Sequence, residues 1–217
     1  MRSGSENQLK RTSEKWDVEG ILLQPDYQAG RIDLAGLFGN DRPVELEIGT
    51  GKGTFLLARA TDRPEVNFIG IEYAKAYGMY AADRYKRHGL GNIRMVCDDA
   101  IKFIDVCIGD ATLSRVHIYF PDPWPKRKHH RRRTIQRPFV RQLRRILKPG
   151  GQLLIKTDHR DYFEWMRRVL RDAEGFARTP FPQLVREEEQ GMVGTNFERK
   201  YIEEGRSFYS MALLKYI

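Results

Sequence analysis

Asp122 sits in the run Phe120-Pro121-Asp122-Pro123-Trp124-Pro125-Lys126. A residue before proline is held extended and each proline fixes its own φ, so this carboxylate belongs to a stiff segment. The Trp124 indole offers a flat face to stack on a base, or alternatively a packing anchor. Directly after it come Arg127, Lys128, His129, His130, Arg131, Arg132 and Arg133. A fixed carboxylate, an aromatic face and a positive run together suit a base-handling site with a phosphate grip beside it. Asp122 read blandly would be a loop-capping aspartate. The two histidines lack Cys, Asp or Glu neighbours, so they are expected to join the phosphate grip rather than hold a metal.

A second group surrounds Glu47-Ile48-Gly49-Thr50-Gly51-Lys52-Gly53. Glycines let the backbone approach a ligand closely. A dinucleotide fingerprint requires G-x-G-x-x-G, and here the third glycine is one position early. A cationic sulfonium would suit a carboxylate such as Glu47 better than a pyrophosphate would. Glu72 lies at the expected distance for a carboxylate accepting ribose hydroxyls. Asp98 and Asp99 follow a third apolar run; Asp99, just before Ala100, is equally placed to cap a helix. The bland reading of the glycines is a packing turn.

These residues need elements to position them. Strands are predicted at 44–48, 66–72, 93–97, 116–120, 152–157 and 207–216. Helices are predicted at 54–60, 74–87, 100–107, 134–147 and 160–171, with a short helical turn from Leu34 that ends at Gly39. Strands alternating with helices imply βαβ units and a parallel sheet covered on both faces, an α/β doubly wound fold. Ligands of such sheets bind beyond the carboxyl ends of the strands, where Glu72, Asp98, Asp99, Asp122 and Asp158 all fall. Asp158 also has a position suited to capping the helix after it. Arg137, Arg141, Arg144 and Arg145 share one helical face that is expected to carry the phosphates of a polyanion.

The 217 residues suffice for one domain with a sizeable core. No apolar run approaches membrane-spanning length, and the first residues lack the apolar centre of a secretory signal. Residues 1–30 are expected to form a flexible polar extension, and 31–217 the functional domain. Cys97 and Cys107 show no metal-ligand pattern and are read as reduced thiols of a cytoplasmic protein. Net charge is +9. From Lys126 to Lys148 there are eleven lysines and arginines and no acid. A solvated helix face normally interleaves both signs, so this segment points to a polyanion partner.

The pattern E-x-G-x-G-x-G resembles the first motif of S-adenosylmethionine-dependent methyltransferases. With the Asp122 loop, the His-His-Arg-Arg-Arg run, Lys156-Thr157-Asp158 and Gly194-Thr195-Asn196-Phe197-Glu198 in order, the chain resembles the bacterial tRNA (guanine-N7)-methyltransferases from about Asp33 to Lys215. Residues 172–191 match poorly. The resemblance implies a seven-stranded, mostly parallel, Rossmann-like sheet whose last strand is antiparallel. It implies methyl transfer from S-adenosylmethionine to N7 of a variable-loop guanosine in tRNA, leaving S-adenosylhomocysteine, without a metal. Glu47, Gly49, Gly51, Glu72, Asp99, Ala100 and Asp122 would form the cofactor site, with Asp122 also catalytic. Lys126, Asp158, Thr195, Asn196, Phe197 and Glu198 would contact substrate, and Lys128 to Arg133 the RNA. Thr195 and Glu198 also have capping-box spacing. A monomer or homodimer without an obligatory protein partner is expected.

Three other readings compete. An aminopropyl transferase also uses acidic strand ends, but a polycationic product would be repelled by the basic segment. A nicotinamide dehydrogenase is disfavoured by the shifted glycine. A non-catalytic RNA-binding module would not require the carboxylates.

Overall fold

Strands β1 (Val44–Ile48) and β2 (Asn67–Ile71) are buried along their whole length, Glu45, Glu47 and Asn67 included, as strands covered on both faces are. The computed structural model describes residues 16–171, 173–182, 204 and 207–216. The chain divides after Cys107 into two compact units. Seven strands make a mixed sheet: β3-β2-β1 come from the first unit and β4-β5-β7-β6 from the second.

In the first unit β2 pairs in parallel with β1 (Val44 opposite Asn67) and with β3 (Ile93–Val96; Phe68 opposite Ile93). Helix α1 (Leu34–Phe38) is capped by Asp33, whose side chain accepts from the Ala35 N–H, and ends at Gly39 with φ 69°. Helices α2 (Thr54–Asp62), α3 (Lys75–Arg87) and α4 (Ala100–Cys107) cross between or follow the strands. Buried Arg59 of α2 lies 3.3 Å from Glu45 of β1, so each buried charge has its counter-ion. The expected flexible extension does not reach residue 30. Leu22 bridges to Met95, the Leu23 N–H donates to the Met95 carbonyl at 2.8 Å, and Ile21 is buried. The apolar Ile21-Leu22-Leu23 triplet covers the open edge of β3.

In the second unit β4 (Leu113–Tyr119) pairs in parallel with β5 (Leu147–Thr157), and β7 (Tyr209–Lys215) pairs antiparallel to β5. Strand β6 (Phe176–Thr179) pairs antiparallel to β7. Helix α5 (Arg137–Ile146) packs Phe139, Val140, Leu143 and Ile146 inward; α6 (Arg160–Arg171) packs Tyr162, Met166 and Leu170 inward. A 3₁₀ helix (Arg127–Arg132) precedes α5.

Two elements differ from expectation. Strand β5 begins at Leu147, directly off α5, and a register shift between Leu113 and Arg115 of β4 accommodates Pro149-Gly150-Gly151. Strand β6 lies outside the strands predicted from the sequence. It has four residues and buries only Phe176, so it carries no apolar alternation and exists through its hydrogen bonds to β7. Among the described residues no helix is long and apolar enough to cross a membrane.

Candidate active site

The first unit carries the acidic strand ends. Gly49, Gly51 and Gly53 all have positive φ (82°, 54° and 73°), a region side chains rarely adopt. Their reasons differ. A Cβ on Gly49 or Gly51 would meet nothing within 4 Å, so these two leave open space beside the strand end. A Cβ on Gly53 would lie 2.3 Å from the Tyr85 hydroxyl, so this glycine permits α2 to close on α3.

Glu47 is buried, and its Oε2 has no hydrogen-bond partner among the described residues. Burial, and to a smaller degree the Glu72 charge, pushes its carboxyl up to about 8. A buried carboxylate without a cation is costly unless a ligand supplies one. Glu72 Oε2 accepts the Gly51 N–H at 2.8 Å and its Oε1 the Ala74 N–H at 2.9 Å, tying the glycine turn to the start of α3. Each carboxylate oxygen keeps a second lone pair for a hydroxyl.

Asp99 caps α4: its Oδ1 accepts from the Ile101 and Lys102 N–H groups at 2.8 and 3.0 Å. Ala100 is the first residue of that helix. Asp98 accepts the Tyr27 hydroxyl at 2.6 Å, and this bond holds its carboxyl below the usual range. The Lys102 ammonium lies 3.7 Å from the centre of the Tyr27 ring. Tyr27 was not foreseen, because it lies 71 positions from Asp98 and in no motif. Both cysteines are free; burial, with Glu72 adding, pushes the Cys97 thiol up to about 11, so it is no ready nucleophile.

The second unit carries the Asp122 loop. Phe120 and Trp124 have φ of 50° and 43°, genuine outliers for bulky residues, and Asp122 stands exposed between them. The loop's entry is tied by the Phe120 N–H donating to the Lys156 carbonyl at 2.8 Å. Its exit is tied by Arg133, whose Nε donates to the Pro123 carbonyl at 3.0 Å.

Arg133 corrects an expectation. It is buried, paired with Asp161 of α6, and its guanidinium lies 4.9 and 5.3 Å from the Tyr162 and Trp165 ring centres. It is an internal brace, not an RNA contact. The neighbouring Lys126, Lys128, Arg131 and Arg132 are exposed. Arg132 sits over the Trp124 ring at 4.9 Å, and His129 meets that ring edge-on at 5.8 Å. Trp124 therefore packs under the basic segment. His130 packs edge-on against Trp165 at 5.9 Å, and its Nε2 is buried with no partner among the described residues, which leaves it half inside.

The expected α5 face is also corrected. Arg145 binds Asp110 at 2.7 Å, the Ile108 carbonyl at 2.8 Å and Gln142 at 2.6 Å, so it anchors the start of β4. Arg137, Arg141 and Arg144 remain exposed. Asp158 is half-buried just past the end of β5, and the Nδ1 of the next residue, His159, accepts the Tyr162 N–H of α6 at 3.3 Å. The Lys156 ammonium lies 5.1 to 5.5 Å from the ring centres of Phe181, Tyr119 and Phe208. Thr195, Asn196, Phe197 and Glu198 lie outside the described residues. Among those residues no three His, Cys, Asp or Glu side chains gather to hold a metal.

Solved structures with this fold include the aminoglycoside resistance methyltransferase NpmB1 (TM-score 0.57, 16% identity, 89% of this chain and 95% of that one). The 16S rRNA methyltransferase KamB is similar (TM-score 0.56, 16% identity, 81% and 87%). The fold is that of the class I S-adenosylmethionine-dependent methyltransferases.

Residues 41–211 match a family described as a putative methyltransferase. A tRNA (guanine-N(7)-)-methyltransferase of Rhodopirellula baltica is 34% identical over 213 residues, 95% of this chain and 79% of that protein. One of Alcanivorax borkumensis is 37% identical over 186 residues, 86% and 78%. The chain belongs to the tRNA (guanine-N7)-methyltransferase family.

Proposed function

We propose that this protein methylates N7 of a variable-loop guanosine in tRNA, with Asp122 as the catalytic residue. The observation that carries the role of Asp122 is its exposed carboxylate in a loop strained on both sides and tied at both ends. Backbone strain of this kind is maintained where surroundings over-determine it, and it clusters at functional sites.

The cofactor fits the first unit. Glu47 would face its positive charge, Glu72 its ribose hydroxyls and Asp99 its adenine, while Gly49 and Gly51 leave room for it. Bound there, S-adenosylmethionine supplies an electrophilic methyl group. The guanine N7 lone pair carries no proton, so no strong general base is needed. Positioning and electrostatics carry the rate.

Asp122 accepts from the N–H edge of guanine and so aims N7. The methylated base becomes cationic, and the same carboxylate offsets that charge. Lys126, Lys128, His129, Arg131 and Arg132 hold the surrounding phosphates. Asp158 and Thr195 to Glu198 contact the base and its neighbours. Work on tRNA suits a cytoplasmic enzyme, and the reading needs no second protein chain.

The test is transfer of labelled methyl to an unmodified tRNA transcript, with the modified position mapped and Asp122→Ala run in parallel. Label on a variable-loop guanine N7, lost in the variant, is the expected result. Label on another base or another RNA would overturn the reading.

A further inference from the structure

Helix α6 is a ridge with an arginine-lined groove on each side. One groove, about 350 Å³, lies against Arg137, Arg141 and Arg144 of α5 and has Val140, Val169, Ala173 and Glu174 in its walls. The other, about 360 Å³, is lined by Glu164, Arg167, Arg168 and Arg171 of α6 and by Arg178 of β6. Val140 belongs to the inward face of α5, while the groove arginines stand off the faces that both helices spend on the core.

Seven guanidinium groups line the two grooves, and two carboxylates do. One of those, Glu164, is already 3.1 Å from Arg167. A solvated surface interleaves signs because like charges repel. An excess maintained on three elements at once points to an anion that repeats along a track. Arginine forks match phosphate oxygens in pairs, and the apolar walls at Val140 and Val169 can carry arginine stems. The arginines recur at three- and four-residue steps along α5 and α6, which makes rows rather than a single pocket.

We propose that the α5–α6–β6 surface is a second docking track for the sugar-phosphate backbone of tRNA, separate from the exposed residues of the Lys126–Arg132 segment. The proposal rests on tRNA being the substrate. The track supplies affinity and register, and it takes no part in the chemistry. Its arginines read no sequence, so they act alike on all tRNAs.

The test compares the double variant Arg141→Gln/Arg168→Gln, one change per groove, with Arg63→Gln/Arg87→Gln. The control pair removes the same charge from exposed positions of the first unit. Binding of a tRNA transcript is followed by fluorescence anisotropy over a salt series, and methyl transfer is followed separately. In the groove variant the slope of log affinity against log salt should shrink by about 1.5 relative to the control. KM for tRNA should rise on the order of tenfold, with kcat at saturating tRNA unchanged.

A slope and KM equal to those of the control would overturn the proposal, as would equal losses in both variants. The single variants, each carrying part of the effect, keep the test open if the double variant folds poorly. Failure of the methylation reading shows up separately: the wild type would then bind tRNA with the groove-dependent slope and transfer no methyl to it.

Discussion

The Nε of Arg133 donates to the Pro123 carbonyl at 3.0 Å, next to the peptide that carries Asp122. The same guanidinium is held by Asp161 and by the faces of Tyr162 and Trp165, so helix α6 braces the loop through one side chain. Asp161, mostly exposed, has its carboxyl held below the usual range by that contact. A residue in the middle of a basic run thus does internal work.

Arg133→Ala should therefore behave unlike its neighbours. Losing a buried, hydrogen-bonded side chain costs about 1–3 kcal/mol of stability. kcat for methyl transfer should fall on the order of tenfold or more, because the loop is no longer braced. The salt slope of tRNA binding should equal that of the wild type. Arg131→Ala should do the reverse, flattening the slope and sparing the melting temperature. Thermal unfolding and salt titration of the two variants check this.

Asp122→Ala should lower kcat by about 100-fold or more, the usual cost of losing a group that stabilises developing charge. tRNA affinity should change little, since the phosphate grip is intact. Asp122→Asn retains hydrogen bonding without charge, so it should recover orientation and not the charge offset. Loss of affinity with kcat preserved would show that Asp122 only binds. Steady-state kinetics against tRNA concentration separates the two.

If Glu47 faces the cofactor as proposed, binding should depend on pH. Its carboxyl titrates near 8 in the folded protein against 4.5 when free, so the ligand-free fold favours the protonated form. That contribution to stability is complete below the free value and is lost as pH rises through about 8. A cationic ligand favours the ionised form, so binding below about pH 8 releases a proton and affinity rises with pH by up to about tenfold per unit. Glu47→Gln should abolish the pH dependence and weaken S-adenosylmethionine binding. Calorimetry from about pH 6 to about pH 9, in buffers of different ionisation enthalpy, measures both affinity and proton release.

Gly51 and Gly53 should separate stability from binding. Gly53→Ala places a methyl 2.3 Å from the Tyr85 hydroxyl and 2.8 Å from the Ala81 Cβ, so α2 and α3 must part. Overpacking and the left-handed φ together should cost about 2–4 kcal/mol. Gly51→Ala meets no atom and should cost only about 1–2 kcal/mol of backbone strain, yet it enters the open space proposed for the cofactor. Melting temperatures with and without S-adenosylhomocysteine distinguish them. A normal ligand-induced shift in Gly51→Ala would count against the cofactor position.

The second unit shows where reading by residue type stops. Strand β6 has one buried position, and a four-residue exposed segment carries no period to detect. His159 caps α6 through its ring, because its Nδ1 reaches the Tyr162 N–H, a matter of backbone direction at the end of β5. Arg145 has the spacing of its neighbours but turns toward Asp110, 35 positions away.

What the amino-acid order by itself determined is local. Apolar runs split by glycine turns dictate alternating strands and helices. Positive φ at Gly49 and Gly51 needs glycine, and prolines around Asp122 stiffen its loop. Those properties act over a few residues and so can be read from a few residues. Tertiary structure alone decided which members of one charge run face solvent and which hold the fold together. Arg132 and Arg133 are adjacent and chemically identical. One lies exposed over Trp124 and the other is sealed beneath Asp161, because successive side chains leave the 3₁₀ turn in different directions. The same holds for Glu45 and Glu47 of β1: both are buried, Glu45 meets Arg59, and Glu47 keeps an oxygen without a partner among the described residues. Burial and partnership are properties of what the rest of the chain brings nearby, and no run of neighbouring residues contains them.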